Sequence, residues 1–322
     1  MKRRTFLRLA AYAAALPMPR IAQAQTYPTR PVRLIVGIAA GGTQDTIARL
    51  LAQGLSERLG QQFVVDNRPG ANGNLATEAV VRAAPDGYTL ILANTSNSIN
   101  ATLYEKLSYD FIRDIAPVGS IGRGNGVMLV TPSFPAKDIP EFIAYAKANP
   151  GTINMASGGV GNITHMSGEL FAQVAGIKLV HVPYRGEALS YPDLLSGRMQ
   201  VLFGGIPPAL EHVRTGRLRA LGVTIKERSK VLPDVPSISE FLPSYEASAW
   251  YGIGAPKATP ADVINKLNQA MNAIINDPKL GAQFTDLGVL TGTSSPSQFA
   301  SFIAAETEKW AKVIRTAGIK PE

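Results

Sequence analysis

Short apolar runs alternate with longer segments of helical periodicity along most of the chain. In the first such segment Ile47, Leu51 and Leu55 fall on one face of a helix, and Gly60 follows where the periodicity stops. Strands that alternate with helices are typical of βαβ units, in which the strands are parallel. The pattern therefore predicts an α/β protein whose sheets are mostly parallel and flanked by helices.

The predicted elements follow one another from residue 32 to residue 316, and no fixed-period repeat links them. The predicted strands are 32–37, 62–67, 88–94, 127–131, 153–157, 178–184, 199–203, 218–224 and 250–255. The predicted helices are 44–59, 74–84, 137–148, 163–175, 186–196, 207–216, 260–276 and 296–316. At roughly 150 residues per domain, a chain of 322 residues has room for two domains.

Two stretches interrupt the alternation of strands and helices. Residues 119–126 (GSIGRGNG) are rich in glycine, and residues 233–248 contain three prolines. We interpret both as crossings between lobes, with a first lobe built from residues 25–124 and 250–322 and a second lobe from residues 125–249. Two crossing segments form a natural hinge, and a ligand cleft is expected between the lobes.

The first 24 residues have the three parts of a secretory signal peptide. A basic start at residues 2–4 is followed by a short alanine-rich apolar stretch and by Ala-Gln-Ala at 22–24, which predicts cleavage after Ala24 and export. Arg8 and Pro17 interrupt the apolar stretch well short of the roughly 20 residues that a membrane span needs. Residues 3–7 (RRTFL) also resemble a twin-arginine signal, so both the twin-arginine and the Sec route stay open.

Removing this leader changes the charge of the chain. The whole sequence has 32 basic and 24 acidic residues, a formal net charge of +8, and five of the basic residues lie in the leader. The mature chain then has 27 basic against 24 acidic residues, a net +3, which excludes a typical nucleic-acid-binding protein. The lack of cysteine excludes disulfides and thiolate nucleophiles. With three histidines and no HExxH or P-loop motif, we expect no metal and no cofactor.

Five loops that follow predicted strands share one composition: they are small, polar and poor in acidic residues. Ligands of open α/β sheets bind at the carboxyl ends of the strands, so loops rich in donors predict an acidic small molecule as the ligand. An alternative for the first loop is a plain turn in which Thr43 or Asp45 caps the next helix. His165 is expected to be a neutral residue that packs its turn. The five loops are 37–45, 94–98, 156–165, 181–186 and 204–208.

Seven short motifs run in order through the mature chain. They are YPxRPVRLIV (27–36), AGGxxDxxAR (40–49), VxNRPGAxG (65–73), APDGYTL (84–90), YAKANPG (145–151), GELF (168–171) and VPYxG (182–186). In this order and spacing they resemble the Bug, or TctC-like, family of extracytoplasmic solute receptors of tripartite tricarboxylate transporters. The resemblance implies a two-lobed Venus flytrap fold of the periplasmic-binding-protein type. It also implies a periplasmic receptor that closes around a small organic acid and delivers it to membrane permease subunits.

In this family the carboxylate of the ligand is held largely by backbone N–H groups and waters from the first loop and the VPYxG loop. The resemblance therefore implies ligand contacts from Ala40, Gly41, Thr43 and Asp45 on one side, and from Ser157, Gly158, Asn162, Tyr184 and Arg185 on the other. Position 185 is commonly Lys in the family and is Arg here, which changes the donor geometry. The loop positions Thr95, Ser96 and Gly186 complete the candidate set.

Two other function classes remain open on the sequence. A ligand-sensing module for a signalling partner would have the same cleft. An exported hydrolase would need a nucleophile and a base, for which Ser157 and His165 are near in sequence, but no GxSxG motif occurs and that loop has no Asp. We therefore expect a binding protein without catalytic residues. Because no heptad pattern occurs, we expect a monomer.

Overall fold

Two separate parts of the chain form the first sheet, which has six strands. The computed structural model describes residues 27–321, and the strands of this sheet are β1 (Val32–Val36), β2 (Phe63–Asn67), β3 (Thr89–Asn94), β4 (Ile115–Gly124), β10 (Ala249–Pro256) and β11 (Val289–Thr291). Their order across the sheet is β11-β4-β10-β3-β1-β2. β1 is parallel to β2 and β3, whereas β10 is antiparallel to β3 and β4.

The chain between β4 and β10 forms the second sheet. Its strands are β5 (Gly126–Val130), β6 (Asn154–Ser157), β7 (Val180–Pro183), β8 (Val201–Gly205) and β9 (Arg219–Val223). Their order is β7-β6-β8-β5-β9. β6 is parallel to β7 and β8, and β5 is antiparallel to β8 and β9.

Helices flank both sheets. α1 buries Ile47, Leu51 and Leu55, and it ends at Gly60, whose left-handed φ of 72° lets its N–H return to the carbonyl of Ser56. The α-helices are α1 (Thr43–Leu59), α2 (Asn74–Val81), α3 (Thr95–Leu103), α4 (Phe111–Asp114), α5 (Ile139–Ala148), α6 (Ile163–Ala175), α7 (Tyr191–Leu195), α8 (Ile206–Arg214), α9 (Ala261–Ile275), α10 (Pro278–Asp286) and α11 (Pro296–Ala317).

The chain crosses from one sheet to the other at two short segments. Only Asn125 separates β4 from β5. The crossing predicted at residues 119–126 is therefore too long, because residues 119–124 belong to strand β4. Glycine is needed there for close approach, since a Cβ at Gly122 would lie 2.4 Å from the carbonyl oxygen of Leu290 in β11. The way back is also short: Ala247 N–H still donates to the Thr224 carbonyl of the second lobe, at 2.9 Å, two residues before β10 begins.

Each sheet packs its own apolar core, and two helices join the cores. Trp310 of α11 and Ile99 of α3 are buried in the same cluster as Met128 of the second sheet, although α3 directly follows a strand of the first. This packing ties the two lobes together behind the crossing strands. We propose that the lobe boundaries fall near residues 125 and 248 and that α11 is shared between the lobes.

The predicted two-lobed α/β fold is confirmed, and all nine predicted strands are present. The sheets are mixed rather than mostly parallel, because the strands that adjoin the crossings run against their neighbours: β10 pairs antiparallel with β3 and β4, and β5 pairs antiparallel with β8 and β9. The sequence pattern missed β4, β11, α3, α4 and α10. Residues 94–98, predicted as a polar loop, instead begin α3, whose sequence TSNSINATL consists mostly of small polar residues. Asn94 starts this helix through a capping box with Asn97.

Residues 1–26 and 322 are outside the described part of the chain, so the predicted signal peptide and its cleavage site after Ala24 fall outside it as well. From residue 27 to residue 321, no helix has both the length and the apolar character that crossing a membrane requires.

Candidate functional site

A cleft of about 370 Å³ lies where the two sheets meet. We call the loop and first helical turn at residues 38–45 the first wall, and the loops 157–165 and 184–187 the second wall. The crossing segments contribute Asn125, Ala249 and Tyr251. From the first wall the lining includes Ile38, Gly42, Thr43 and Gln44, and from the second wall Asn162, Ile163, Thr164, Gly186 and Glu187. Further lining residues are Gly204, Gly205, Pro207, Pro208, Thr224, Leu287 and Gly288.

The first wall is held in shape by the buried carboxylate of Asp45. Asp45 Oδ2 accepts hydrogen bonds from the backbone N–H of Gly41 and from Arg49 Nε, both at 2.9 Å. Its Oδ1 accepts from Asn67 Nδ2 at 2.9 Å, and the same Asn67 amide donates to the Ile38 carbonyl at 3.2 Å. The carboxylate is thus already saturated by the protein, and Asp45 positions the loop.

The N-terminus of α1 opens into the cleft. Gly42 precedes the helix, and no side chain caps it, so the expected Thr43 or Asp45 cap is wrong. The backbone N–H groups of Thr43 and Gln44 have no acceptor in the described part of the chain, as is usual in a first helical turn. The hydrogen bond from Arg49 lowers the pKa of Asp45 to about 2, so this carboxyl group is ionised at neutral pH.

The second wall also has a glycine-rich loop at the N-terminus of a helix, here α6. Asn162 caps this helix by accepting a hydrogen bond from the N–H of Thr164 at 3.0 Å. The Thr164 hydroxyl in turn accepts from Gly158 N–H at 2.7 Å. These bonds fix the glycine-rich loop over the start of the helix, and Asn162, Ile163 and Thr164 all line the cleft. Two helix N-termini, one from each lobe, therefore open into the same space.

Two stacked imidazole rings pack beside the loop of the second wall. The rings of His165 and His181 lie 3.6 Å apart between centroids and are tilted by only 10°. His165 Nδ1 accepts a hydrogen bond from Gly161 N–H at 3.2 Å, as expected of a neutral histidine that packs its turn. His181 Nε2 lies 2.6 Å from Ser157 Oγ. Burial, reinforced by the neighbouring His165, lowers the pKa of His181 to about 4.

This geometry bears on the hydrolase alternative. The Ser157–His165 pair considered from sequence is not formed, because Ser157 pairs with His181. Ser157 is fully buried and is not part of the cleft lining. Its hydroxyl also accepts from Gly159 N–H at 3.1 Å. The serine therefore holds the loop and does not offer a nucleophile to the cleft.

The loop after β7 contains three predicted site residues, and one of them lines the cleft. The Tyr184 hydroxyl donates to Asp193 Oδ2 at 2.7 Å, and burial together with this carboxylate raises the pKa of Tyr184 to about 12. Arg185 is exposed and makes no hydrogen bond or ion pair with any described residue. Gly186 lines the cleft with a φ of 124°, which strains any other residue.

Thr95 and Ser96 lie in the first turn of α3, away from the cleft lining. Thr95 Oγ1 is buried and accepts a hydrogen bond from the backbone N–H of Trp250 at 2.8 Å. Ser96 Oγ lies 3.3 Å from Asn72 Oδ1. Thr95 thus anchors α3 to the returning strand β10. Trp250 itself is fully buried, as expected of a core residue.

The twelve predicted site residues fall into four groups. The cleft lining contains Thr43, Asn162 and Gly186. Gly41, Asp45, Ser157, Gly158 and Tyr184 make the hydrogen bonds that shape the two walls, while Ala40 and Arg185 are exposed on the loops. Thr95 and Ser96 lie elsewhere. A direct contact of any of them with a ligand stays a prediction.

Several lining residues were not predicted from the sequence. Glu187 immediately follows a predicted site residue, but a search for acid-poor loops passes over it. Tyr251 comes from a strand that is distant in sequence from the five polar loops. Gly204 and Gly205 belong to the fifth polar loop, and that composition could have placed them in the site.

The cleft lining has almost no charged side chains. Among the lining residues, all within the described chain, there is no Lys, Arg or His, and Glu187 is the one carboxylate. An anionic ligand would therefore depend on backbone N–H groups and helix N-termini. Residues 27–321 also contain no group of three or more His, Asp or Glu that could hold a metal ion.

Three other depressions are comparable in size or larger. One of about 520 Å³ lies between α11 and the segment around Phe111, one of about 430 Å³ lies between α3 and the end of α11, and one of about 400 Å³ lies beside β11 and Phe299. None of the three is lined by residues from both walls. The cleft is the depression that collects the strand-end loops of both lobes, so we take it as the candidate site.

Comparison with known proteins identifies a family and several relatives of similar sequence. The family model described as "Tripartite tricarboxylate transporter family receptor" matches residues 47–319. Protein BugT of Bordetella pertussis is 35% identical over 300 residues, which cover 92% of each chain. A UPF0065 protein from the tcbD-tcbE intergenic region of Pseudomonas sp. strain P51 is 34% identical over 314 residues, covering 97% of this chain and 94% of the relative.

Solved structures of similar sequence have the same fold. R. palustris Rpa4515 with adipate is 35% identical with a TM-score of 0.81, over 92% of this chain and 100% of the other. MatC from Rhodopseudomonas palustris with bound malate is 31% identical with a TM-score of 0.77, over 89% and 100%. The periplasmic binding protein BugD is 32% identical with a TM-score of 0.78, over 92% and 100%.

Proposed function

This chain belongs to the tripartite tricarboxylate transporter receptor family, and we propose that it is a periplasmic receptor that closes around a small organic acid and delivers it to the membrane permease of a tripartite transporter. Membership of the family implies an extracytoplasmic location. The proposal adds export through a signal peptide cleaved after Ala24, a monomeric receptor, and a permease as the partner.

The observation that carries the proposal is the meeting of two helix N-termini in one cleft without a side-chain cation. A carboxylate at such a position is stabilised by about 0.3–1 kcal/mol per helix terminus, and by up to about 2 kcal/mol where the contact is partly buried. Hydrogen bonds to a charged group add roughly 1.5–3 kcal/mol each. Micromolar affinity needs about 8 kcal/mol in total, so a few such contacts are sufficient. The relatives solved with adipate and malate are consistent with this ligand class.

Closure follows from the position of the walls on different lobes. A ligand that contacts both walls binds the closed arrangement more tightly than the open one, and it shifts the population toward closure. The chain passes between the lobes only at the short crossings near Asn125 and Ser248, so we expect the backbone to turn there. The permease would then recognise the closed receptor.

Isothermal titration calorimetry of residues 25–322 against a panel of mono-, di- and hydroxycarboxylates tests ligand binding. Thr43→Pro is a specific probe, because it removes one cleft N–H at the first helical position, where proline is tolerated. We expect this variant to bind the best acid roughly tenfold or more weakly. Ala261→Pro makes the same change at the start of α9, outside the cleft, and should leave affinity unchanged. No binding across the panel would contradict the proposal.

Delivery to a permease needs a separate test. In cells that lack this chain, uptake of the radiolabelled best-binding acid should fall to background. Wild-type protein should restore uptake, and Thr43→Pro should restore it only at higher acid concentration. Normal uptake without the chain would contradict the transport role and favour a sensing role for the same cleft.

A further inference from the structure

The side chain of Glu187 stands in the cleft without a cationic partner. Its Oε1 accepts hydrogen bonds from Gly205 N–H at 2.8 Å and from the Tyr191 hydroxyl at 3.1 Å. Its Oε2 has no hydrogen-bond partner among the described residues, and no Lys, Arg or His there forms an ion pair with it. Burial raises the pKa of this carboxyl group. One oxygen is thus oriented by the protein, and the other is left for something that enters the cleft.

The surrounding backbone makes room for this particular side chain. A Cβ at Gly204 of β8 would lie 2.6 Å from Glu187 Oε1, so any other residue at 204 would displace the carboxyl group. A Cβ at Gly158 would lie 3.1 Å from the Glu187 backbone nitrogen. The φ of Gly204 is not positive, so glycine is needed there to leave room for the neighbouring side chain and not to allow the backbone conformation. The glycines at 158 and 204 therefore leave the space that Glu187 occupies.

Other groups on the lining also lack a donor. Asn125 Oδ1 is buried and has no hydrogen-bond partner in the described chain. The Tyr251 hydroxyl, on the same lining as Glu187, makes no hydrogen bond with a described residue. Burial and the charge of Glu187 raise the pKa of Tyr251 to about 12. On this side of the cleft Asn125 Oδ1 and Glu187 Oε2 are open acceptors and the Tyr251 hydroxyl can donate or accept, while the two helix N-termini offer donors.

We propose that Glu187 is a specificity-determining residue that receives a protonated amino group of the ligand, so that the preferred ligands are amino acids rather than dicarboxylates of the same length. This inference rests on the proposed function, because the carboxylate of the amino acid would occupy the helix N-termini. A dicarboxylate would place its second negative charge next to Glu187 with no cation to offset it. Adipate and malate, seen in the relatives, are dicarboxylates of this kind.

The test compares three probes of equal chain length by calorimetry on wild-type protein at pH 7: 5-aminopentanoate, glutarate and pentanoate. Glutamate is added as a probe that carries both groups. We expect 5-aminopentanoate or glutamate to bind at least about tenfold more tightly than glutarate, which corresponds to about 1.4 kcal/mol. Glutarate binding as tightly as the amino acids, or more tightly, would overturn the inference, because Glu187 would then be donating a proton to the second carboxylate.

Glu187→Gln localises the effect. Glutamine keeps an oxygen for Gly205 N–H and the Tyr191 hydroxyl, and it turns an amide N–H toward the ligand. We expect the preference for the amino acid over glutarate to shrink about tenfold or to reverse. Glu211→Gln removes an exposed carboxylate from α8 of the same lobe and should leave the ratio unchanged. An unchanged ratio in a folded Glu187→Gln protein would overturn the inference.

If Glu187→Gln does not fold, the probe comparison on wild type still decides the inference. The two proposals also fail differently. If none of the acids binds, the proposed function fails, and the inference fails with it. If pentanoate or glutarate binds and the amino acids have no advantage, the inference alone fails.

Discussion

The two walls of the cleft present the same feature, a glycine-rich loop over a helix N-terminus, but they are stabilised by different chemistry. The first wall depends on an ionised carboxylate, Asp45, whose partner Arg49 is half exposed. The second wall depends on the buried Ser157 hydroxyl and on the stacked rings of His165 and His181, with a Glu169 carboxylate oxygen 3.4 Å from His165 Nε2. The first arrangement stabilises by charge-assisted hydrogen bonds, and the second by burial.

The difference predicts which disturbance affects which wall. An ionised carboxylate loses its partners only when it is protonated, and for Asp45 that requires strong acid. A buried neutral histidine is disturbed as soon as acid favours its charged form. The second wall, which contains His181, is therefore the more acid-sensitive of the two.

The largest effect is expected from Asp45→Asn. The substitution replaces one acceptor oxygen by a donor, so that Gly41 N–H, Arg49 or Asn67 loses its partner. We expect a loss of about 2–3 kcal/mol in the free energy of unfolding, measured by urea denaturation.

Asp66→Asn is the matched control for this prediction. Asp66 pairs with Arg33 and Arg68 at the surface, and removing an exposed pair costs less than about 1 kcal/mol. Equal losses in the two variants would contradict the structural role given to Asp45.

Ser157→Ala should have the next largest effect. It leaves His181 Nε2 and Gly159 N–H without their partner in a buried position. We expect a loss of about 1–2 kcal/mol in unfolding free energy. Ser196→Ala, which removes an exposed hydroxyl bonded to the Asp193 carbonyl, should stay within about 0.5 kcal/mol of wild type. A Ser157→Ala protein as stable as the control would show that the neutral pair does not support the wall.

The pH dependence of unfolding separates the two walls. The pKa of His181 is lowered from 6.5 to about 4, so the unfolded chain binds this proton first, and stability falls as the pH drops from about 6.5 to about 4. The pKa of Asp45 is lowered from 3.8 to about 2, so its contribution is complete above about pH 4 and is lost between about pH 4 and pH 2. Urea midpoints measured from pH 8 to pH 3 should show the first decline.

A His181→Gln variant isolates that decline. We expect the fall in stability between pH 6.5 and pH 4 to be smaller than in wild type, because the titrating ring is gone. An identical pH profile in the variant would assign the acid sensitivity to other groups.

The smallest effect is expected at Arg185. It is exposed and has no partner among the described residues, so Arg185→Lys should change unfolding free energy by less than about 0.5 kcal/mol. An effect on ligand affinity without an effect on stability would place the guanidinium at the closed cleft. A stability loss above about 1 kcal/mol would contradict its exposure.

The sequence predicts the fold better than the site, for a physical reason. Local periodicity identifies β1 to β3 and β5 to β10, because those strands are short apolar runs. It fails at β4, where glycines that permit close contact with β11 have the composition of a linker. That contact lies about 170 residues away in sequence, as between Ser120 N–H and Ser294 Oγ, and no local pattern encodes it.

The same limit applies to the cleft. Thr43, Asn162 and Gly186 are identifiable because each follows a strand in a loop of ligand-binding composition. Tyr251 reaches the cleft only because β10 returns between β3 and β4. Glu187 is visible in sequence as an acid beside a predicted site, but its lack of a cation partner is known only once the lobes are placed.

The most direct test of the account is hydrogen–deuterium exchange by mass spectrometry, with and without the tightest-binding acid of the panel. The account predicts slower exchange in both walls together, at the amides of residues 42–46 and of residues 161–166, because one ligand contacts two helix N-termini on different lobes. Protection confined to one wall, or to neither, while calorimetry shows binding, would contradict it.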